Sequence, residues 1–182
     1  MSAKFRVLIT DRAWPDCEVE QKELALVDAE VIEAPPGADE QTLIQFATGV
    51  DAIATCWAPV TKAVIAAAPD CKTVARLGIG LDNIDVETCA ARGVKVVPAT
   101  GANDDSVAEY VILAALTLLR PLTAAMPEML AGTWPRTAAI GRELQGKTLG
   151  LVGFGSIARA TARRARALGM RVSAFDPFVQ AE

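Results

Sequence analysis

Gly153, Gly155 and Ala158 stand at G-x-G-x-x-A spacing directly after the apolar run 148–152, and Asp176 closes the next strand-like run. These types at this spacing suit a dinucleotide. Gly153 permits a tight turn, Gly155 lets the backbone approach a pyrophosphate, and small Ala158 lets the following helix pack on its strand. The phosphates would lie on free N–H groups at the helix start, where the dipole is positive. An incidental glycine turn carries the same letters. Here the pattern is framed by a buried strand over 148–152, a helix over 157–168 and a strand over 171–175.

A second glycine-patterned turn, Gly78-Ile79-Gly80, follows the strand-like run 73–77. It either bends the chain ahead of Asp82-Asn83 or leaves a nest of backbone amides for an anion. Acid/base groups are sparse. The sequence holds no histidine, the side chain that most readily gives and takes a proton near neutrality. Asp82, Asp85, Asp104 and Asp105 have the spacing of turns and caps. Ser106 and Glu109 have capping-box spacing, which predicts helix initiation there. Arg159, Arg163 and Arg166 share a helical face that reads as solvated. Trp57, in a loop after the third strand, either shapes a pocket or anchors its loop.

Short β-rich runs alternate with helical patterns, the mark of a parallel sheet with helices on its faces. Strands are predicted over 5–10, 30–33, 52–55, 73–77 and 95–97, and helices over 17–27, 39–47, 62–67 and 86–92. Residues 1–100 thus form a flavodoxin-like α/β unit. The pattern then changes. Residues 101–182 open with a long apolar helix from Asp105 to Arg120, stopped by Pro121, then a helix over 123–131 and an irregular stretch to Gly146. The glycine fingerprint follows, and the second region reads as the first part of a Rossmann domain. Burying one leucine is worth about 2 kcal/mol, so Leu113, Leu116, Leu118 and Leu119 favour association through this helix.

A net charge of −4 at pH 7 argues against general nucleic-acid affinity, which needs a basic footprint. The longest apolar run, Val111 to Leu119, is too short for a bilayer. Cys17, Cys56, Cys71 and Cys89 show neither C-x-x-C nor metal-ligand spacing, so no metal site is expected and reduced structural thiols are. With no apolar leader after Met1, a cytoplasmic location is the expectation.

Three blocks occur in order: Arg76-Leu77-Gly78-Ile79-Gly80-Leu81-Asp82-Asn83-Ile84-Asp85, Asp105-Ser106-Val107-Ala108-Glu109, and Leu149-Gly150-Leu151-Val152-Gly153-Phe154-Gly155-Ser156-Ile157. Together they resemble the D-isomer-specific 2-hydroxyacid dehydrogenases, which include phosphoglycerate dehydrogenase. Cys56-Trp57-Ala58-Pro59-Val60-Thr61 is similar to the branch containing the C-terminal-binding-protein repressors. The resemblance implies a substrate domain, a connecting helix and an NAD-binding domain, with a small 2-hydroxy or 2-keto acid as substrate. It implies that Ile79 and Gly80 offer backbone N–H groups to the substrate carboxylate. It also implies that Gly153, Gly155, Ser156 and Ile157 meet the pyrophosphate and that Asp176 binds the adenosine ribose. A carboxylate at Asp176 with no following arginine favours NAD over NADP. A homodimer through residues 106–131 is implied as well.

The family's substrate arginine, its proton-transferring histidine and the glutamate that orients it match no position here, so no catalytic residue is assigned. Two functions remain open. One is the N-terminal portion of an NAD-dependent 2-hydroxyacid dehydrogenase, inactive as these 182 residues alone. The other is a non-catalytic NAD-binding or partner-binding, corepressor-like protein.

Overall fold

Five short runs rich in valine, isoleucine and alanine become parallel strands: β1 (Phe5–Ile9), β2 (Ala29–Glu33), β3 (Ala52–Thr55), β4 (Thr73–Arg76) and β5 (Lys95–Pro98). They form one sheet in the order β2-β1-β3-β4-β5. The computed structural model describes residues 4–137 and 140–179. It divides into two compact units, Met1–Ala102 and Asn103–Glu182.

Parallel neighbours need long crossovers, and the helices supply them: α1 (Glu18–Ala25), α2 (Glu40–Phe46), α3 (Lys62–Ala67) and α4 (Val86–Ala91). Three begin at side-chain caps that satisfy orphan amides. Asp39 accepts from the Thr42 amide at 2.8 Å, Thr61 from Val64 at 3.4 Å, and Asp85 from Thr88 at 2.8 Å. Alternation along the strands makes two cores. Leu8, Ile53 and Val74 pack with Leu43, Val64, Ile65 and Cys89. On the opposite face, Ile9 and Ala54 meet Cys17, Val31 and Leu77.

The second unit holds α5 (Asp104–Leu119), α6 (Leu122–Leu130), β6 (Thr148–Val152), α7 (Ser156–Ala167) and β7 (Arg171–Phe175). β6 and β7 pair in parallel, Leu149 opposite Val172 and Val152 opposite Phe175. The chain bends by 76° between α5 and α6, where Pro121 cannot continue the helix. Among the described residues no single helix is long and apolar enough to cross a membrane. Buried Ala108 of α5 and buried Ala160 and Ala165 of α7 allow close packing, and Arg164 reaches Asp105 at 3.0 Å and Glu109 at 3.4 Å.

The capping box expected at Ser106 is not formed. Asn103 occupies the N-cap without a side-chain bond, Asp104 and Asp105 fill the first turn, and Ser106 lies inside the helix. Two carboxylates at the positive end of the helix dipole favour the earlier start, and Glu109 turns to Arg164 instead.

Candidate functional site

β6 runs into the glycine turn and α7 runs out of it. Gly153 has φ +92°, a conformation costly for any residue with a Cβ, and its amide donates to the Phe175 carbonyl at 2.7 Å. Gly155 is the α7 N-cap, in extended backbone and without a side-chain cap. A Cβ at Gly155 would meet nothing within 4 Å, so the chain itself sets no need for glycine there. The open space in front of it suits the approach of a diphosphate. Ser156 and Ile157 are the first two residues of α7. Among the described residues, the amides of Ser156, Ile157 and Ala158 find no acceptor outside the helix, whose first bond runs from Arg159 to the Gly155 carbonyl.

Asp176 lies just past β7. Its Oδ2 accepts the Phe154 amide at 2.6 Å and its Oδ1 the Phe178 amide at 2.8 Å. The Phe154 amide, then that of Phe178, holds the carboxyl pKa below its ordinary value. An ionised carboxylate has about four acceptor positions, which leaves capacity for the two hydroxyls of a ribose. Arg159 hydrogen-bonds the Phe154 carbonyl at 2.9 Å and lies over that ring. The residues present therefore fit a dinucleotide at this turn.

In the first unit, the amides of Gly78, Ile79, Gly80 and Leu81 donate to no protein acceptor among the described residues, and Ile79 and Gly80 are exposed. The loop is pinned on both sides. The Leu77 amide donates to the Thr55 carbonyl at 2.8 Å, and the Ala99 amide is shared between the Arg76 and Gly78 carbonyls at 3.0 Å each. Neither Gly78 nor Gly80 has a positive φ, so the loop needs no left-handed backbone at either position. Only side-chain tips stand near the two glycines. A Cβ on Gly78 would strike the Arg76 guanidinium, and one on Gly80 would stand 3.1 Å from Asp82 Oδ2.

Sequence reasoning passed over Asp11. It sits directly after β1, where the strand order reverses and β1 and β3 leave a crevice at their carboxyl ends, the usual ligand position in open α/β sheets. Its Oδ1 accepts the Cys56 amide at 2.8 Å and its Oδ2 the Trp57 amide at 2.7 Å, and Thr10 and Thr55 donate their hydroxyls to Oδ1. Burial acts to raise the Asp11 pKa, but the amides of Cys56 and Trp57 and the Thr10 hydroxyl outweigh it, and the net shift is downward. Asn83 extends the brace, donating to the Ala58 carbonyl at 3.0 Å and to Thr55 Oγ1 at 3.3 Å.

The brace ties the loop after β3 to the loop after β4, and it separates the two readings of Trp57. Asp11 anchors the backbone, while the indole stays 63% exposed. Trp57 lines a cavity of about 740 Å³ with Asp11, Arg12, Glu33, Pro35 and Pro59. The strand-end position of Asp11 was the one signal available. Cys17, Cys56, Cys71 and Cys89 are buried free thiols whose pKa values burial raises, which makes them poor nucleophiles. Among the described residues no cluster of acids and cysteines could hold a metal.

The family described as D-isomer specific 2-hydroxyacid dehydrogenase, catalytic domain, matches residues 7–175. The (S)-sulfolactate dehydrogenase of Chromohalobacter salexigens is 54% identical over 123 residues, 68% of this chain and 40% of that enzyme. The D-3-phosphoglycerate dehydrogenase of Mycobacterium tuberculosis is 40% identical over 180 residues, 95% of this chain and 32% of that enzyme. The NAD-dependent formate dehydrogenase of Staphylococcus aureus, solved in complex with NAD, aligns at a TM-score of 0.78 and 26% identity, covering 95% of this chain and 56% of that one. The chain thus spans between 32% and 56% of the length of these relatives. With the family model matching residues 7–175, the chain belongs to the D-isomer specific 2-hydroxyacid dehydrogenases.

Proposed function

We propose that this chain supplies the carboxylate seat and the pyrophosphate turn of an NAD-dependent oxidoreductase acting on the CH–OH group of a small D-2-hydroxy acid. Held at this turn by Gly155, Ser156, Ile157 and Asp176, NAD would supply the hydride chemistry at C2 of the acid. The free amides of Ile79 and Gly80 hold the substrate carboxylate. Gly153 shapes the turn, Gly155 admits the diphosphate, and the α7 amides at Ser156 and Ile157 neutralise it. Asp176 takes the ribose hydroxyls, and its negative charge disfavours a 2′-phosphate, so NAD is preferred to NADP.

These 182 residues include no histidine. In this reading proton transfer falls to a group other than a histidine of these 182 residues, and the chain by itself does not turn over. Two apolar surfaces support this. Val152 is 95% exposed and Phe178 94% exposed beside the two-stranded sheet, where further strands of a Rossmann domain would cover them. Tyr110, Leu113, Leu118 and Leu130 are also exposed on α5 and α6, which supports a homodimer through residues 106–131.

The observation that carries the reading is the empty space before Gly155. Calorimetric titration of NAD into the chain and into Gly155→Ala tests it. Binding by the first and loss of at least tenfold in affinity by the second, with folding unchanged, is the expected result. Equal affinities would remove the pyrophosphate from this turn. Turnover of a 2-hydroxy acid by the 182 residues alone would contradict the need for additional sequence.

A further inference from the structure

We propose that the crevice at the carboxyl ends of β1, β2 and β3 is a second small-molecule site, one that takes an uncharged compound with an aromatic ring against the Trp57 indole.

The strand order of the first unit reverses between β1 and β3, where open α/β sheets receive ligands. The cavity there, about 740 Å³, is of ligand size, and neither Ile79 nor Gly80 lines it. Its walls are set before anything binds. On one side Pro35-Pro36-Gly37-Ala38 closes a tight turn. The Ala38 amide donates to the Pro35 carbonyl at 3.1 Å and Gly37 has φ +73°, the type II pattern in which proline fixes the first corner and glycine the second. On the other side the Asp11 carboxylate holds the Trp57 amide at 2.7 Å, and Pro59 stiffens the same loop. Walls so fixed lose little freedom when a ligand enters.

The charged groups of the lining are spent on one another. Arg12 Nε and Nη2 hold Glu33 at 3.1 and 2.9 Å, and Nη1 bonds the Trp14 and Pro15 carbonyls. An anion would therefore meet an engaged guanidinium with the Asp11 carboxylate beside it. Asp11 in turn accepts the Cys56 and Trp57 amides and the Thr10 and Thr55 hydroxyls. These fill the roughly four acceptor positions of a carboxylate, so a cation gains no oxygen without breaking the brace. A charged ligand would give up water and find no ionic partner. What the crevice offers instead is apolar: Pro35, Pro36, Pro59 and the indole of Trp57. The indole is 63% exposed, and its face suits a stacked ring.

Acetophenone, an uncharged ring compound, titrated into the isotope-labelled 182-residue chain and followed by its resonances is the test. The Gly37, Ala38 and Ala58 amides and the Trp57 indole N–H should move together and saturate. Benzoate and benzylammonium, which carry either charge on the same ring, should bind at these resonances at least tenfold more weakly. Trp57→Ala keeps the backbone amide that Asp11 holds, and should weaken acetophenone about tenfold. Trp57→Phe keeps a ring and should recover most of that loss, which a merely unfolded loop would not. No saturable response in the parent chain, equal affinity in the parent and Trp57→Ala, or a charged ring bound as tightly as the neutral one overturns the proposal. A proline-rich peptide that moves the same resonances and binds more tightly than acetophenone also overturns it, since the crevice would then be a groove for a protein chain.

Discussion

The Phe154 amide, in the middle of the glycine turn, donates to Asp176 Oδ2 at 2.6 Å. The acid beyond β7 therefore clamps the turn that follows β6, and the parallel pairing of Val152 with Phe175 brings the two ends together. One carboxylate sets the turn, and the proposed function gives it the nucleotide sugar as well.

Asp176→Ala should weaken NAD at least tenfold, since it removes a charged acceptor and also frees the Phe154 amide. Asp176→Asn, which retains an oxygen for that amide, separates the two effects. Its turn should stay native while NAD affinity still falls and discrimination against NADP shrinks. Calorimetry with both cofactors reads this out, and unchanged NAD affinity in both variants would count against the ribose assignment.

The two glycines of the turn should differ in their response to alanine. Gly153→Ala forces a Cβ into φ +92° and should destabilise the second unit by about 1–2 kcal/mol. Gly155→Ala meets open space and ordinary backbone, and should leave stability within about 0.5 kcal/mol, as surface substitutions usually do. Urea unfolding distinguishes them; equal losses would mean that Gly155 serves the fold and not a ligand.

Asp11 gives a pH dependence of definite sign. Its folded pKa is depressed below the ordinary carboxylate value of 3.8, so its contribution is present above that value and disappears as pH falls through the lower folded one. Asp11→Asn should therefore flatten the acid limb of stability against pH below about 4. Asp11→Ala, which strands the Cys56 and Trp57 amides, should cost about 2 kcal/mol near neutrality. A titration of unfolding midpoints from pH 3 to pH 7, roughly the carboxylate range and above, measures both. An unaltered acid limb in Asp11→Asn would show that the brace contributes nothing.

The sheet and its crossovers were legible because short β-rich runs such as 52–55 and 73–77 alternate with helical runs, and because Gly93 and Pro121 stop helices on sight. The glycine turn was legible for the same local reason. What escaped depended on partners distant in sequence. Asp11 meets Cys56 and Trp57 across 45 and 46 residues, and no spacing rule joins them. At Gly78 the sequence left open a bend or a nest of amides, and the folded loop needs no left-handed backbone there. At α5 the capping-box letters were present, yet Asp104 and Asp105 start the helix first.

The apolar surface of α5 and α6 leads to a statement about assembly. Leu118 is 87% exposed and Leu130 83% exposed, with Tyr110 at 70%, and each such side chain buried against a second copy would contribute about 2 kcal/mol. Leu118→Glu should therefore shift a dimer to monomer, because a carboxylate forced into an apolar contact carries a large desolvation cost. The side chain is solvent-facing within one copy, so helix content by circular dichroism should not change. Light scattering coupled to size exclusion, run on parent and variant over a range of concentrations, decides it. A parent chain that stays monomeric throughout would show that this surface is covered by something other than a second copy.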